Sequence, residues 1–256
     1  MSNYKTIQSV ERTLQCIELL KNRKQGLGVS ELSRQLEVAK STVHRILSTL
    51  MQEGYVKQDP ITGVYTLGLK FIDVGQHVLD SLDIRQVASP FLQELVDSTG
   101  ETAHLVLFEQ DHVAYIDKVE SPKTIRMYSS IGKVAPLHCT GVGKAILAFL
   151  PEEETETLLA SMNLTTYTEH TVNSVGKLKE QLKTIKQQGY SIDDEEHEKG
   201  IRCAAAPIFD HNGRPVAGIS MSGPEMRLSD EKLKDYAELV VKAGKDISSF
   251  LGYHHN

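Results

Sequence analysis

Three short helical patterns followed at once by a hairpin constrain this chain more than any other feature. Val10, Leu14, Ile17 and Leu20 recur at three- and four-residue spacing, which predicts an amphipathic helix with those four on its buried stripe. Gly26 and Gly28 break the pattern. Ser30 then reads as the N-cap of a short helix carrying Leu32 and Leu36. Ser41 reads as the cap of a third helix whose buried face is Val43, Ile46, Leu47 and Leu50. Gly54 stands where a C-terminal glycine is expected. Two helices joined this tightly suggest a helix-turn-helix. Directly afterwards, Tyr55-Val56-Lys57 and Val64-Tyr65-Thr66-Leu67 flank the turn-forming Asp59-Pro60-Ile61-Thr62-Gly63. A hairpin in that place is a wing, so residues 1–68 are expected to form a winged helix-turn-helix.

The outward face of the third helix carries Ser41, Thr42, His44, Arg45, Ser48 and Thr49. Short hydroxyls and a long cation suit phosphates and base edges in a major groove. A solvated helix would more often carry Glu–Lys pairs. The alternative is a three-helix packing module with no nucleic-acid role. Net charge, −6 overall, points away from nucleic acid, but its distribution does not. Residues 1–60 hold nine basic and six acidic side chains, a balance of +3 that leaves −9 for the remainder. Such asymmetry fits a polyanion-binding module attached to something else. Ser30, Lys40 and Lys57 join Ser41, Thr42, His44, Arg45 and Ser48 as candidate DNA contacts.

The 256 residues suffice for one large domain or two modest ones. Ala145 to Leu150 is among the longest apolar runs, far short of the roughly 18 residues of a membrane span, and Met1 to Val10 lacks a signal-peptide apolar region. Cys16, Cys139 and Cys203 are an odd, widely spaced set that gives neither a disulfide framework nor a CxxC metal signature. The expectation is a soluble, cytoplasmic protein with no membrane partner.

Leu69, Ile72, Val74, Val78, Leu79 and Leu82 predict a linker helix over 69–83. From Ile84 helix and strand signals alternate. Ala103 to Phe108, His112 to Val119 and Thr124 to Tyr128 read as successive strands. Val142 to Leu150 reads as a helix stopped by Pro151, and Lys177 to Gln188 as one ended by Gly189. Cys203 to Phe209 and Pro215 to Met221 read as strands around the turn 210–213, and Leu228 to Phe250 as a long closing helix. Antiparallel runs with flanking helices predict an α+β domain over 84–256.

Within that domain, Gly141-Val142-Gly143 precedes an apolar helix. Bare amides at a helix N-terminus suit a carboxylate; a turn that requires glycine is the alternative. A P-loop is excluded, because His138 stands five before Gly143 and Ala145 follows Lys144. Ser220 and Ser222, two apart on a strand, put both hydroxyls on one face, which is either polar-lined or simply solvated. Asp193 opens the acidic run 193–196, which alone reads as a solvated loop, and Cys203 reads as a small core residue. Cys203 or Cys139 with His138 or His197 has the residue types of a nucleophile and base, and with Asp193 those of a zinc site. Neither has diagnostic spacing, so no catalytic residue, metal or cofactor is expected.

Ser41-Thr42-Val43-His44-Arg45-Ile46-Leu47 with Gly54-Tyr55-Val56 resembles the isocitrate-lyase-regulator (IclR) family of bacterial transcription factors. Gly189-Tyr190-Ser191-Ile192-Asp193, Glu196, Gly200-Ile201-Arg202-Cys203, Pro207-Ile208-Phe209-Asp210 and Gly218 through Pro224 resemble its C-terminal signature, so the likeness covers essentially the whole chain. It implies a recognition helix, a linker helix that helps make the dimer, and a GAF-like effector-binding domain. Matching the family's effector pockets residue by residue picks out Gly141, Val142, Asp193, Cys203, Ser220 and Ser222, with Met127 as apolar wall. His138-Cys139 departs from the small residues many members carry there. Arg126, on the same predicted strand as Met127, could reach a carboxylate; a surface ion pair is the preferred reading. Leu105 to Phe108, Ile116-Asp117-Lys118, Ile125 to Ser129, Ile131-Gly132 and Leu251-Gly252-Tyr253-His254 resemble the family's repressors of pectin and hexuronate breakdown, which 2-keto-3-deoxygluconate relieves. The resemblance thus implies a homodimeric or tetrameric repressor, a near-palindromic double-stranded DNA operator, and a small carboxylate or sugar-acid effector. An activator of the same architecture, or a sensor of a different small organic acid, is the alternative.

Overall fold

The chain folds into two compact units, Met1–Ser81 and Leu82–Asn256. The structure is a computed structural model that describes residues 6–80, 83–125, 127 and 129–253, excepting the side chains of 78–80 and 83. Arg126, Tyr128, Leu82 and His254, and the side chains of Val78 and Leu79, lie outside the described residues.

The first unit runs α1 (Gln8–Lys21), α2 (Val29–Gln35), α3 (Lys40–Gln52), β1 (Val56–Gln58), β2 (Tyr65–Leu67) and α4 (Lys70–Asp80). α3 buries Val43, Ile46, Leu47 and Leu50, the face its periodicity predicts. β1 and β2 form the expected antiparallel wing, with Val56 opposite Leu67. Asp59 closes its turn: one carboxylate oxygen accepts the N–H groups of Ile61 at 2.9 Å and Thr62 at 2.7 Å, and Gly63 takes φ +70°.

Two local expectations fail here. α2 and α3 are preceded by Gly28 and Ala39, with no side-chain cap; Ser30 and Ser41 are second residues of their helices. The start of α2 is set from outside, because Leu27 bridges to Tyr65 through N–H···O bonds of 3.0 and 2.9 Å, leaving extended Gly28 as the only residue between wing and helix. On α1 the buried residues are Cys16 and Leu20, while Val10 and Leu14 are 51% and 58% exposed. The cluster of Leu32, Val43, Leu47 and Tyr65 meets the helix on its Cys16 side.

The second unit runs α5 (Asp83–Thr99), β3 (Thr102–Glu109), β4 (His112–Val119), β5 (Val134–Pro136), α6 (Gly141–Leu147), α7 (Glu152–Ser161), α8 (Val175–Gln188), β6 (Ser191–Asp194), β7 (Ile201–Phe209), β8 (Pro215–Pro224), a 3-10 turn (Glu225–Arg227) and α9 (Asp230–Phe250). Among the described residues its six strands form one antiparallel sheet, ordered β5-β4-β3-β8-β7-β6. Alternation along the strands sorts the two cores. Leu105, Ala204, Ala206, Ile219 and Met221 pack with α5 and α9; Val106, Tyr115, Cys203 and Ala205 pack with α6 and α8. The fold is α+β, as its sequence indicates. Of the strand predicted over 124–128, the described residues form none: 122–125 are bends and Met127 is irregular. There the backbone is held by side chains instead, Arg227 donating to the Ile125 carbonyl at 2.9 Å and Lys118 to that of Ser129 at 2.7 Å. α5, α7, β5 and β6 are additions to the sequence reading.

Candidate functional site

With its apolar side committed to the core, α3 turns the rest outward. Lys40, Ser41, His44, Arg45 and Ser48 are exposed and Thr42 half-buried; Ser30 on α2 and Lys57 on β1 are exposed too. The Arg45 side chain has no hydrogen bond or ion pair among the described residues, and the Thr49 hydroxyl donates back to the Arg45 carbonyl at 3.0 Å. The helix therefore presents a free cation and a row of hydroxyls, the donor set that reads phosphates and base edges.

In the second unit, Met127, Gly141, Val142, Asp193, Cys203, Ser220 and Ser222 all line one cavity, with Tyr115, Thr140, His197, Glu198 and Ile201. The sheet explains the convergence. Asp193, Cys203 and Ser222 are register partners across β6, β7 and β8, as are Ala205 and Ser220. They therefore share the face that α6 covers. Thr140 caps α6, accepting the Gly143 N–H at 3.1 Å and donating to the Pro136 carbonyl at 2.7 Å. Gly141 lets the helix start approach the sheet closely: a Cβ there would stand 3.1 Å from the Cys203 sulfur and 3.2 Å from the Ala205 Cβ, a tight contact. The Ser191 hydroxyl donates to the Gly141 carbonyl at 2.7 Å, tying β6 to the helix start. Asp193, read from its acidic run as a solvated loop residue, is instead buried on β6. Its Oδ1 accepts the Glu196 N–H at 2.8 Å and the His197 N–H at 3.4 Å.

Comparison with known proteins decides the class. Residues 9–60 match the IclR helix-turn-helix domain, and residues 76–249 match the bacterial transcriptional regulator IclR C-terminal domain. The chain belongs to the IclR family. It is 39% identical to the HTH-type transcriptional regulator XynR of Escherichia coli over 96% of this chain and 98% of that one. It is 36% identical to E. coli KdgR over 97% and 94%. The crystal structure of the Thermotoga maritima IclR superposes with a TM-score of 0.82 at 34% identity, covering 97% of this chain and all of that one. This IclR-family chain is accordingly a DNA-binding transcription regulator and not an enzyme. Among the described residues no helix is long and apolar enough to cross a membrane.

The electrostatics of this IclR-type cavity are set by burial. Burial pushes the Cys203 thiol up to about 12, reinforced by Asp193, and Cys139 likewise to about 12, so neither is a thiolate at neutral pH. Burial lowers His138 and His197. Beside the cavity, a feature the sequence reading missed is Lys144 on α6, fully buried and paired with buried Glu196 and with Gln181, whose Oε1 accepts at 3.2 Å. Its signal was a lysine inside an otherwise apolar helix. Tyr115 was legible too, since it alternates with buried Val113 on β4.

Burial raises Asp193 from its ordinary 3.8 to about 7, with Lys144 opposing. A carboxyl whose folded pKa exceeds its unfolded one contributes stability at low pH that is lost as pH rises from about 4 through about 7. Asp193→Asn keeps an acceptor for both N–H groups and cannot ionise. The variant is expected to match wild type near pH 4 and to melt higher at about pH 8 in thermal denaturation. Equal melting temperatures at both ends would remove the buried-carboxylate account.

Proposed function

We propose that this IclR-family regulator is a cytoplasmic repressor, a homodimer or tetramer, released from a near-palindromic operator by a small sugar acid, 2-keto-3-deoxygluconate or a close relative. Residues 1–68 would bind DNA, 69–83 link, and 84–256 sense. On a two-fold site, two copies of α3 read two half-sites, with Lys40 and Lys57 adding salt-dependent phosphate contacts.

The observation that carries the reading is the convergence of Ser220, Ser222 and Asp193 with Gly141 and Val142, at the start of α6, around one cavity. A polyhydroxy keto acid supplies a carboxylate for the amides of that helix start and hydroxyls for the serines and Asp193. Met127 and Val142 cover its carbon chain, and Cys203 lies against it as a neutral thiol. The cavity measures about 10 Å³, room for one water and far below the ~300–1,000 Å³ of ligand pockets. Binding a six-carbon acid therefore requires the cavity to open. That is the differential affinity by which an effector shifts the operator-binding equilibrium.

A second reading, a different small organic acid, is favoured by the near-equal identities to XynR and KdgR. One experiment separates them: a promoter-fragment gel shift titrated with 2-keto-3-deoxygluconate and a panel of aldonic and aromatic acids. The keto acid is expected to release DNA and raise the melting temperature. Another acid doing both while it does neither would transfer the role.

A further inference from the structure

Next to the cavity, but outside the residues that line it, stands His104 on β3. It is fully buried, and its register partner is Ser220 of β8, which does line the cavity. Facing residues of neighbouring strands keep their Cβ atoms about 4.5–5.5 Å apart. The imidazole also meets Tyr115, another lining residue, edge to face with centroids 5.2 Å apart. Its Nε2 is 2.9 Å from the Ser129 hydroxyl, two residues along from Met127. Its Nδ1 is buried with no partner among the described residues.

An unpaired buried nitrogen is costly. The fold uses Nε2, through Ser129, but nothing among the described residues uses Nδ1. What a widened cavity would gain from it is a hydrogen-bonding group between Ser220 and Tyr115. We propose that His104 is a further effector-contacting residue, whose Nδ1 meets a hydroxyl of the bound acid once the cavity opens. The inference rests on the sugar-acid reading above and deepens it. Burial, with Lys118 reinforcing and Glu120 opposing, holds His104 neutral with a pKa of about 4. A neutral ring bonded at one nitrogen offers a single donor or acceptor at the other, and a hydroxyl can serve as partner to either. A carboxylate could meet only the donor form. A hydroxyl can thus pair with His104 in either tautomer, whereas short keto acids such as pyruvate, which offer acceptors alone, can meet it only in the donor form.

The test uses the full-length protein with 2-keto-3-deoxygluconate, gluconate and pyruvate as probes, read by operator release and calorimetric titration. His104→Phe keeps the ring contact with Tyr115 and deletes both nitrogens; Ser220→Ala serves as the control for the cavity itself. His104→Phe is expected to lose about 10- to 100-fold in affinity for the hydroxylated acids, the loss of one buried hydrogen bond, and to lose less affinity for pyruvate. Wild-type affinity for all three acids in His104→Phe, with Ser220→Ala impaired, overturns the role of His104 alone. No binding of any acid by wild type overturns the sugar-acid reading and this inference with it. Independently of whether the variant folds, the Nδ1 resonance of His104 in ¹⁵N-histidine-labelled wild type is expected to shift when 2-keto-3-deoxygluconate saturates the protein. An unmoved resonance refutes the contact.

Discussion

Arg45→Ala is expected to abolish specific operator binding while leaving the effector response of the second unit intact. Arg45 is exposed on α3 and holds no ion pair or side-chain hydrogen bond among the described residues, so its removal sacrifices nothing in the fold. Surface substitutions of that kind stay within about 0.5 kcal/mol. A bidentate arginine contact to a base, by contrast, carries about 1–3 kcal/mol of discrimination. Two copies on a two-fold operator double that, which corresponds to a loss of roughly 30-fold to 10⁴-fold. Lys40→Ala or Lys57→Ala should behave differently, weakening all sequences alike and reducing the salt slope by about one per contact. Gel shifts at several salt concentrations, alongside a melting curve for each variant, separate the two behaviours. Undiminished operator affinity in Arg45→Ala would remove α3 as the recognition helix.

How much of this was legible before the fold was known depends on where each signal resides. The buried face of α3 and the wing turn closed by Asp59 and Gly63 are local: periodicity sets one and turn chemistry the other. The glycine that ends α8 is local as well, Gly189 taking φ +84°. The stripe on α1 was misjudged because periodicity shows which residues share a face but not how far the neighbours extend along it. Val10 and Leu14 continue the apolar pattern past the point where the core reaches. The strand expected over 124–128 has the residue types of a strand, but its described residues pair with no neighbouring strand. The true edge strand, Val134–Pro136, is three residues long and ends in proline, leaving almost no pattern to detect. Asp193 is the instructive case at the cavity. Its acidic neighbours suggest solvent, but Cys203 lies opposite it across the β6–β7 ladder, a contact no local window contains. Ser220 and Ser222 needed only the two-residue period of one strand, and that was enough to place them on a shared face.

The largest stability effect is expected at Lys144. Lys144→Met would leave the Glu196 carboxylate buried without its cation, and breaking a buried pair from one side typically costs about 3–5 kcal/mol. Removing both charges in Lys144→Met/Glu196→Leu should recover most of that loss, since the desolvation of both ions disappears with their attraction. Burial already raises the pKa of Glu196, with Lys144 opposing. Without the lysine it rises further, so the penalty in Lys144→Met should be greatest at neutral and higher pH and shrink as pH falls and Glu196 takes up a proton. Denaturant titrations of the wild type, both single variants and the double variant, at about pH 5 and pH 8, measure the coupling directly. A double variant no more stable than Lys144→Met, or a penalty independent of pH, would sink the account. The pair also bears on the cavity. The Glu196 N–H donates to Asp193, and its carbonyl accepts the Thr171 hydroxyl at 2.6 Å. The ion pair thus anchors from one side the residue that places Asp193 from the other. Under conditions where Lys144→Met remains folded, its effector response should therefore weaken although Lys144 itself does not line the cavity.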